Sequence, residues 1–229
     1  TSAATSNVCS AFASLCHALF ADLSDRHGSA FGSIGMSGAS PVVSGRDPRR
    51  GGKPFVNQII MGYWGGPAMH GADGWLTYGS ASTQGVIWQT SVELAEQQQP
   101  LIIEELGVRV DSVGAGEYQG GPGVKAVIRA HMTPLRMVIS AGAHDNPPLG
   151  VCGGEAGGAT RIWKESASGE RVDLGIDIDI VLQPGERLIA EGCGGGGFGD
   201  PMKRDRGKVE RDLAEGWISR QFASRHYGL

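Results

Sequence analysis

A chain of 229 residues is long for one domain and can bury roughly 70% of its unfolded surface. Its 20 basic and 24 acidic side chains leave a formal charge of −4. With a sequence pI of about 5.8, that balance argues against nucleic acid or an anionic membrane as the main partner. Glycine supplies 38 residues, more than twice its usual share of about 7%, and follows no repeat period, so collagen-like and solenoid architectures are excluded.

Thr5 to Leu23 is expected to be a helix, because Val8, Phe12, Leu15, Leu19 and Leu23 recur at three- and four-residue spacing. Cys9 and Cys16 lie on it about 10 Å apart, too far for a disulfide. With Cys152 and Cys193 they are read as reduced thiols, and no CxxC pair points to zinc. The chain opens on Thr1 with residues that already read as helix interior, so a preceding segment is expected. No basic segment and apolar core form a secretory signal there, and no stretch of about 18 apolar residues predicts a membrane span. The expectation is a cytoplasmic protein.

Ser24 to Arg50 reads as loop, with Pro41, Pro48 and the basic cluster Arg46, Arg49 and Arg50. Three arginines can recognise a phosphate or carboxylate, or form a solvated patch. Phe55 to Met61 reads as a short strand, and Tyr63 to Gly74 as a long turn-rich loop of the kind that is often functional. From Val86 the pattern becomes strands: Leu101–Val110, Val124–His131, Leu135–Ser140, Arg161–Glu165, Val172–Leu182 and Arg187–Glu191. Asp173, Asp177 and Asp179 alternate with Leu174, Ile176, Ile178 and Ile180, the period-two mark of a half-buried antiparallel strand. Gly120–Gly123, Asn146–Pro148 and Pro184–Gly185 are turn signals between them. After Pro201 a helical tail is expected, with Val209, Leu213, Trp217 and Gln221 or Phe222 on one face. The fold class is α+β, mainly antiparallel β in a sandwich or barrel-like arrangement, with helices at both ends of the chain. Residues 1–85 are read as a helix and glycine-rich loops, 86–201 as a β-rich domain and 202–229 as a helical tail.

The run Gly192-Cys193-Gly194-Gly195-Gly196-Gly197-Phe198-Gly199-Asp200-Pro201 stands out. Ordering so many glycines requires backbone where side chains cannot fit, against a ligand, another backbone or a subunit. It does not match the phosphate-cradling GxxxxGK[ST], because Gly199 is followed by Asp200, Pro201, Met202 and Lys203. His70 and Asp73 form an HxxD pair that could hold a metal or move protons, or could be a polar loop with a surface histidine. His144-Asp145 precedes two prolines and reads as a turn. Thr1 could act as an amino-terminal nucleophile with its own amine as base, although such residues normally begin a strand.

Four segments carry a family resemblance. Pro100-Leu101-Ile102-Ile103-Glu104-Glu105-Leu106, followed by Val110-Asp111-Ser112-Val113-Gly114-Ala115-Gly116-Glu117-Tyr118-Gln119-Gly120-Gly121-Pro122-Gly123, resembles the DSGGAGxxRGGxG region of the hydantoinase B/oxoprolinase family. Pro148 to Gly157 resembles its PxGxxGGxxG segment, Gly194 to Pro201 its GGGGYGDP, and Arg204 to Leu229, with Asp212, Gly216 and the closing Tyr-Gly-Leu, its carboxyl end. Gln119 stands where the family usually has Arg, Val113 where it has Gly and Phe198 where it has Tyr.

The resemblance implies the carboxyl-terminal part of a B-type subunit in a hetero-oligomeric, ATP-dependent enzyme. The first expectation is an amidohydrolase opening cyclic amides of hydantoin, oxoproline or lactam type. The alternatives are a ketone carboxylase of acetone or acetophenone type, and a non-catalytic scaffold subunit. It further implies a hydantoinase A-type partner that binds ATP with magnesium and phosphorylates an oxygen of a small-molecule substrate. A divalent metal is expected on the amino-terminal portion of the B-type subunit, and no metal ligand is assigned in this chain. Asp111, Ser112, Gly194, Gly195, Gly196 and Gly197 are then expected in substrate or interface loops. His70, Asp73 and Thr1 remain the candidate catalytic residues. The helix at Thr5–Leu23 is expected to pack its apolar face, Phe12 and Leu19 included, against another polypeptide or against the missing amino-terminal half.

Overall fold

The computed structural model describes residues 4–24, 27–33, 37–62, 64–76, 78, 88–175 and 177–229. Helix α1 spans Ala4–Leu23, close to the expected limits. The residues that face the protein are nevertheless small ones. Ser10, Ser14, Ala18 and Ala21 are buried, whereas Val8, Phe12, Leu15, Leu19 and Leu23 are exposed. The small face is required by a close crossing: a Cβ on Gly28 would lie 2.0 Å from the His17 carbonyl oxygen. Ser29 N–H donates to that same carbonyl, and Gly32 N–H donates to Ser14 Oγ at 3.0 Å.

Two antiparallel sheets form the body. The first runs β2 (Lys53–Gln58), β1 (Val42–Asp47), β5 (Leu135–Ser140), β8 (Asp177–Leu182). The second runs β3 (Leu101–Val108), β4 (Val124–Ala130), β9 (Arg187–Glu191), β6 (Arg161–Glu165), β7 (Arg171–Asp173). Alternate residues of both face inward. Val43, Leu135, Met137, Ile139, Ile178 and Leu182 join Leu101, Val124, Ala126, Ile128, Ile162 and Leu188 in one buried cluster, as in a sandwich. Burying each Leu, Ile or Met contributes about 1.5–3 kcal/mol. In β3 the register shifts between Ile103 and Glu105. That bulge keeps Leu101, Ile103 and Leu106 against the core. It leaves Glu104 to pair with Arg129 and Arg187.

The α+β class holds, and several element boundaries move. The segment read as loop to Arg50 contains β1, and the strand expected at Phe55–Met61 is β2, three residues earlier at its end. Within the stretch read as strands lies α2 (Val92–Gln98), capped by Ser91 Oγ, which accepts from Leu94 N–H. The strand expected at Val172–Leu182 is two strands in different sheets, parted at Leu174–Gly175, where Gly175 has φ +67°. Ile176 lies outside the described residues. The tail is two helices, α3 (Arg206–Ala214) and α4 (Arg220–Tyr227), separated by Gly216 at φ +72°. The buried set is Val209, Ile218, Ala223 and Tyr227, packed on Val113 and Ala115. Arg49 and Arg50 turn onto Asp47 at 3.0 and 3.7 Å, and Arg46 donates to the Gly52 carbonyl. The basic cluster therefore closes the β1–β2 turn.

One feature of the topology prepares the site. Glu191, at the end of β9, pairs with Lys125 at the start of β4 and with Arg161 at the start of β6. Val108, at the end of β3, pairs with Val124. The segments around 109–123, 148–160 and 192–199 therefore leave the second sheet at the same end.

Candidate functional site

At that end the glycine segments pack backbone on backbone. The N–H groups of Gly194, Gly195, Gly196 and Gly197 donate to the carbonyls of Gly158, Gly121, Phe31 and Glu155. The carbonyls of Cys193, Gly195, Gly196 and Gly197 accept from Gly65, Gly114, Ala68 and Val151. Gly194 and Gly197, three residues apart, address the same loop, a repeat that suits the three-residue turn of a polyproline II-type backbone. Side chains are excluded throughout. A Cβ would sit 1.8 Å from the Ser112 oxygen at Gly194, 1.8 Å from the Gly66 oxygen at Gly195, 2.1 Å from the Leu149 oxygen at Gly196 and 2.1 Å from the Ala115 oxygen at Gly197. The close backbone approach expected of this run is what it makes. Because the run's four N–H groups are all spent on carbonyls, it offers no cradle for a phosphate.

Neighbouring side chains fasten this lattice. Arg109 Nη1 donates to the carbonyls of Ala159 and Gly192, and its Nε lies 3.2 Å from Glu191. Ser112 Oγ donates to the Arg109 carbonyl at 2.6 Å and accepts from Gly123 N–H at 2.9 Å. Asp111 adopts φ +59°. Its carboxylate accepts from Ser219 N–H at 2.6 Å, and its own N–H donates to the Trp217 carbonyl, which ties the α3–α4 connection to the lattice. Cys193 is fully buried, and burial pushes its thiol up to about 11 despite hydrogen bonds with Ser33 and Thr160. Such a thiol is inert at neutral pH.

His70 and Asp73 turn to different tasks. The His70 ring packs against Tyr118 and Phe198, with centroids at 5.7 and 6.2 Å. The Asp73 carboxylate accepts from Gln119 N–H at 2.8 Å and Arg204 Nη1 at 2.7 Å, and Lys208 Nζ lies 3.2 Å away. Burial works against its charge, but these donors outweigh it and hold its pKa below the usual value. With both oxygens so engaged, the HxxD pair does not suit a metal. Among the described residues no group of three or more His, Cys, Asp and Glu is placed to hold one. Thr1 lies outside the described residues.

Arg204, 5% exposed, is the hub that the sequence did not single out. Its Nη2 donates to Asp212 Oδ2 at 2.7 Å, and its guanidinium lies 5.7 Å from the Tyr227 ring centre. Asp212 is fully buried with this single strong donor, so burial dominates and raises its pKa. Tyr227 Oη donates to Gln119 Oε1 at 2.6 Å, and burial raises its phenol as well. Asp212 and Tyr227 were legible only through their places in the family's carboxyl end. No spacing connects Asp73 to a partner 131 residues later.

A cavity of about 370 Å³ opens beside this hub, lined by Asp73, Trp75, Gln119, Arg204, Arg211 and Trp217 among others. A second, of about 360 Å³, lies across the same loop and is bounded by His17, Ser29, Met69, Trp75 and Tyr78.

The sandwich thus carries a glycine lattice at one sheet end, and the Asp73–Arg204–Asp212 hub ties the tail to it. The hydantoinase B/oxoprolinase model matches residues 1–201, and the chain belongs to that family. It is 30% identical over 198 residues to the caprolactamase subunit beta of Pseudomonas jessenii, covering 82% of this chain and 33% of that protein. The crystal structure of the ATP-dependent caprolactamase from Pseudomonas jessenii superimposes with a TM-score of 0.72 at 26% identity, over 85% of this chain and 35% of that one. A 5-oxoprolinase of Pestalotiopsis fici is 31% identical over 181 residues, 75% of this chain and 14% of its own. The acetophenone carboxylase delta subunit of Aromatoleum aromaticum is 26% identical over 237 aligned positions, 85% of this chain and 33% of its own. The chain thus spans a third or less of the length of these relatives.

Proposed function

We propose that the chain is the carboxyl-terminal part of a B-type subunit in a cytoplasmic, ATP-dependent amidohydrolase that opens cyclic amides of hydantoin, oxoproline or lactam type. The observation that carries the reading is the 30% identity to a caprolactamase subunit beta across 82% of the chain. In this reading a hydantoinase A-type partner binds ATP with magnesium and phosphorylates the substrate oxygen. A divalent metal belongs to the amino-terminal portion of the B-type subunit. Among the described residues no side-chain group is placed to hold a metal and the glycine run offers no phosphate cradle, so the work we assign to this chain is to frame the site. Asp111, Ser112 and Gly194 to Gly197 hold three loops in fixed register at one sheet end, where a substrate or a partner subunit meets them. The exposed apolar face of α1, with Phe12 68% and Leu19 54% accessible, supports assembly with another polypeptide.

The 26% identity to an acetophenone carboxylase subunit supports a second reading, a ketone carboxylase. Co-expression with the companion subunits separates the two. ATP turnover stimulated by a cyclic amide and independent of bicarbonate is expected. Turnover that requires bicarbonate and a ketone would replace the first reading with the second. Amide hydrolysis by the chain alone without ATP, abolished in Thr1→Ala, would overturn both in favour of an amino-terminal nucleophile.

A further inference from the structure

We propose that the cavity between the 73–76 loop and α3 is a binding site for a small cyclic monocarboxylate. Arg211 holds its carboxylate, and Trp75 and Trp217 border its ring. The site goes beyond the cyclic-amide reading and stands whether or not that reading holds.

Volume, charge and aromatic lining agree on this ligand. About 370 Å³ is at the small end of ligand pockets, which run from roughly 300 to 1,000 Å³. Three cations, Arg204, Lys208 and Arg211, face two carboxylates, Asp73 and Asp212, which leaves one positive charge in excess. That excess sits on Arg211. Asp73 takes Arg204 and Lys208, and Asp212 takes Arg204. The nearest anion to Arg211 among the described residues is Asp212 Oδ1 at 4.0 Å, beyond hydrogen-bonding range, and its side chain is 55% exposed. A guanidinium so placed offers a planar fork that matches a carboxylate. Arg204, nine-tenths buried in the same wall, has its Nε without a hydrogen-bond partner. Two backbone donors of the wall are spent, Gly74 N–H on the Gln119 carbonyl and Gly120 N–H on the Gly114 carbonyl. One excess positive charge balances a carboxylate more closely than it does a phosphate, which carries more charge. Trp75 leaves 61% of its surface exposed at the cavity rim, an aromatic face suited to a ring.

The test uses the full 229-residue chain, titrated at pH 7 with benzoate, cyclohexanecarboxylate, benzamide and inorganic phosphate. Binding is followed through the indole N–H resonances, assigned with Trp75→Phe and Trp217→Phe. Both carboxylates are expected to shift Trp75 and Trp217 saturably and to leave Trp64 unmoved. Benzamide should bind about ten-fold more weakly, as should benzoate to Arg211→Gln, with Arg211→Lys recovering part of the loss. Far-UV circular dichroism establishes that the variants fold. The proposal is overturned if benzamide matches benzoate, if Arg211→Gln binds normally, if phosphate outcompetes both carboxylates, or if no titration saturates.

Discussion

Replacing Gly195 by alanine adds one methyl group, and the structure says where it must go. The new Cβ would lie 1.8 Å from the Gly66 oxygen, 2.3 Å from its carbon and 2.8 Å from the Pro67 nitrogen, where ordinary contact begins at 3.4 Å. All three obstacles are backbone, so no rotamer change relieves them. The run must move, and Gly195 then gives up its N–H bond to the Gly121 carbonyl and the bond its own carbonyl accepts from Gly114, each 2.9 Å. Leaving a buried group unpaired costs about 1–3 kcal/mol, and forcing extra atoms into packed interior about 1–3 kcal/mol more. A loss of about 4 kcal/mol or more follows. In a chain this size each kcal/mol moves Tm by about 2–4 °C, so Tm falls by about 8–16 °C. The control is Gly107→Ala in β3, where a Cβ meets nothing within 4 Å and φ is ordinary. That change should be neutral or stabilising by up to about 1 kcal/mol, since alanine loses less backbone entropy than glycine. Urea and thermal denaturation of both variants decide the matter. A Gly195→Ala chain that melts within about 2 °C of the parent would refute the backbone-packing argument.

Three further outcomes are expected. Arg204→Met leaves Asp212 buried without its donor and should cost about 3–5 kcal/mol in urea unfolding, with Arg204→Met/Asp212→Leu recovering part of it; a double variant no better than the single would contradict the hub. Asp73 has its pKa below 3.8 in the folded state, so its contribution is present above that value and is lost as pH falls through the folded pKa. Asp73→Asn should therefore flatten the loss of stability below about pH 4, whereas Asp212, shifted upward, contributes with the opposite sign, and an unchanged acid limb would count against the pairing. Asp111→Ala should destabilise by about 1–3 kcal/mol through the lost Ser219 bond and the left-handed backbone, and Asp111→Gly should be milder by about 1 kcal/mol; equal losses would show that φ +59° carries no strain.

Parts of the fold were legible because periodicity reports burial. β4, β5 and β9 put alternate residues into the core, and their limits follow from that. α1 was legible as a helix, but not in its orientation: apolar spacing marked Phe12 and Leu19, while the tight crossing at Gly28 selects Ser14, Ala18 and Ala21 for the inner face. β1 is not legible as a strand because Gly45 and Arg46 interrupt its apolar pattern. The alternation from Asp173 to Ile180 ran straight through the turn at Gly175 that sends β7 and β8 to different sheets, because period two carries no mark of a sheet change. The HxxD pair had the residue types of a reactive site. Only the fold shows Asp73 already taken by Arg204 and Lys208.

The glycine motifs show a different limit. In the sequence, Gly65–Gly74, Asp111–Gly123, Pro148–Gly157 and Gly192–Gly199 are separate strings. In the fold, Gly194 and Gly197 hand their N–H groups to the 155–158 stretch, Gly195 to Gly121 and Gly196 to Phe31, and the first two of these segments reach the run because β4, β6 and β9 meet at one sheet end. What specifies these contacts is the absence of a Cβ at positions such as Gly65, Gly120 and Gly195, whose missing atoms would fall 1.8, 2.0 and 1.8 Å from carbonyl oxygens of Gly121, Gly195 and Gly66. An absent side chain leaves no periodicity and no charge to read, so composition announces the packing without saying what meets what. The consequence for function runs through rigidity. A segment whose N–H groups all serve other backbones cannot also bind a substrate phosphate. It can fix the loops around it, and Asp111, Trp217 and Gln119 extend that fixed frame to α3, α4 and the rim of the Arg211 cavity.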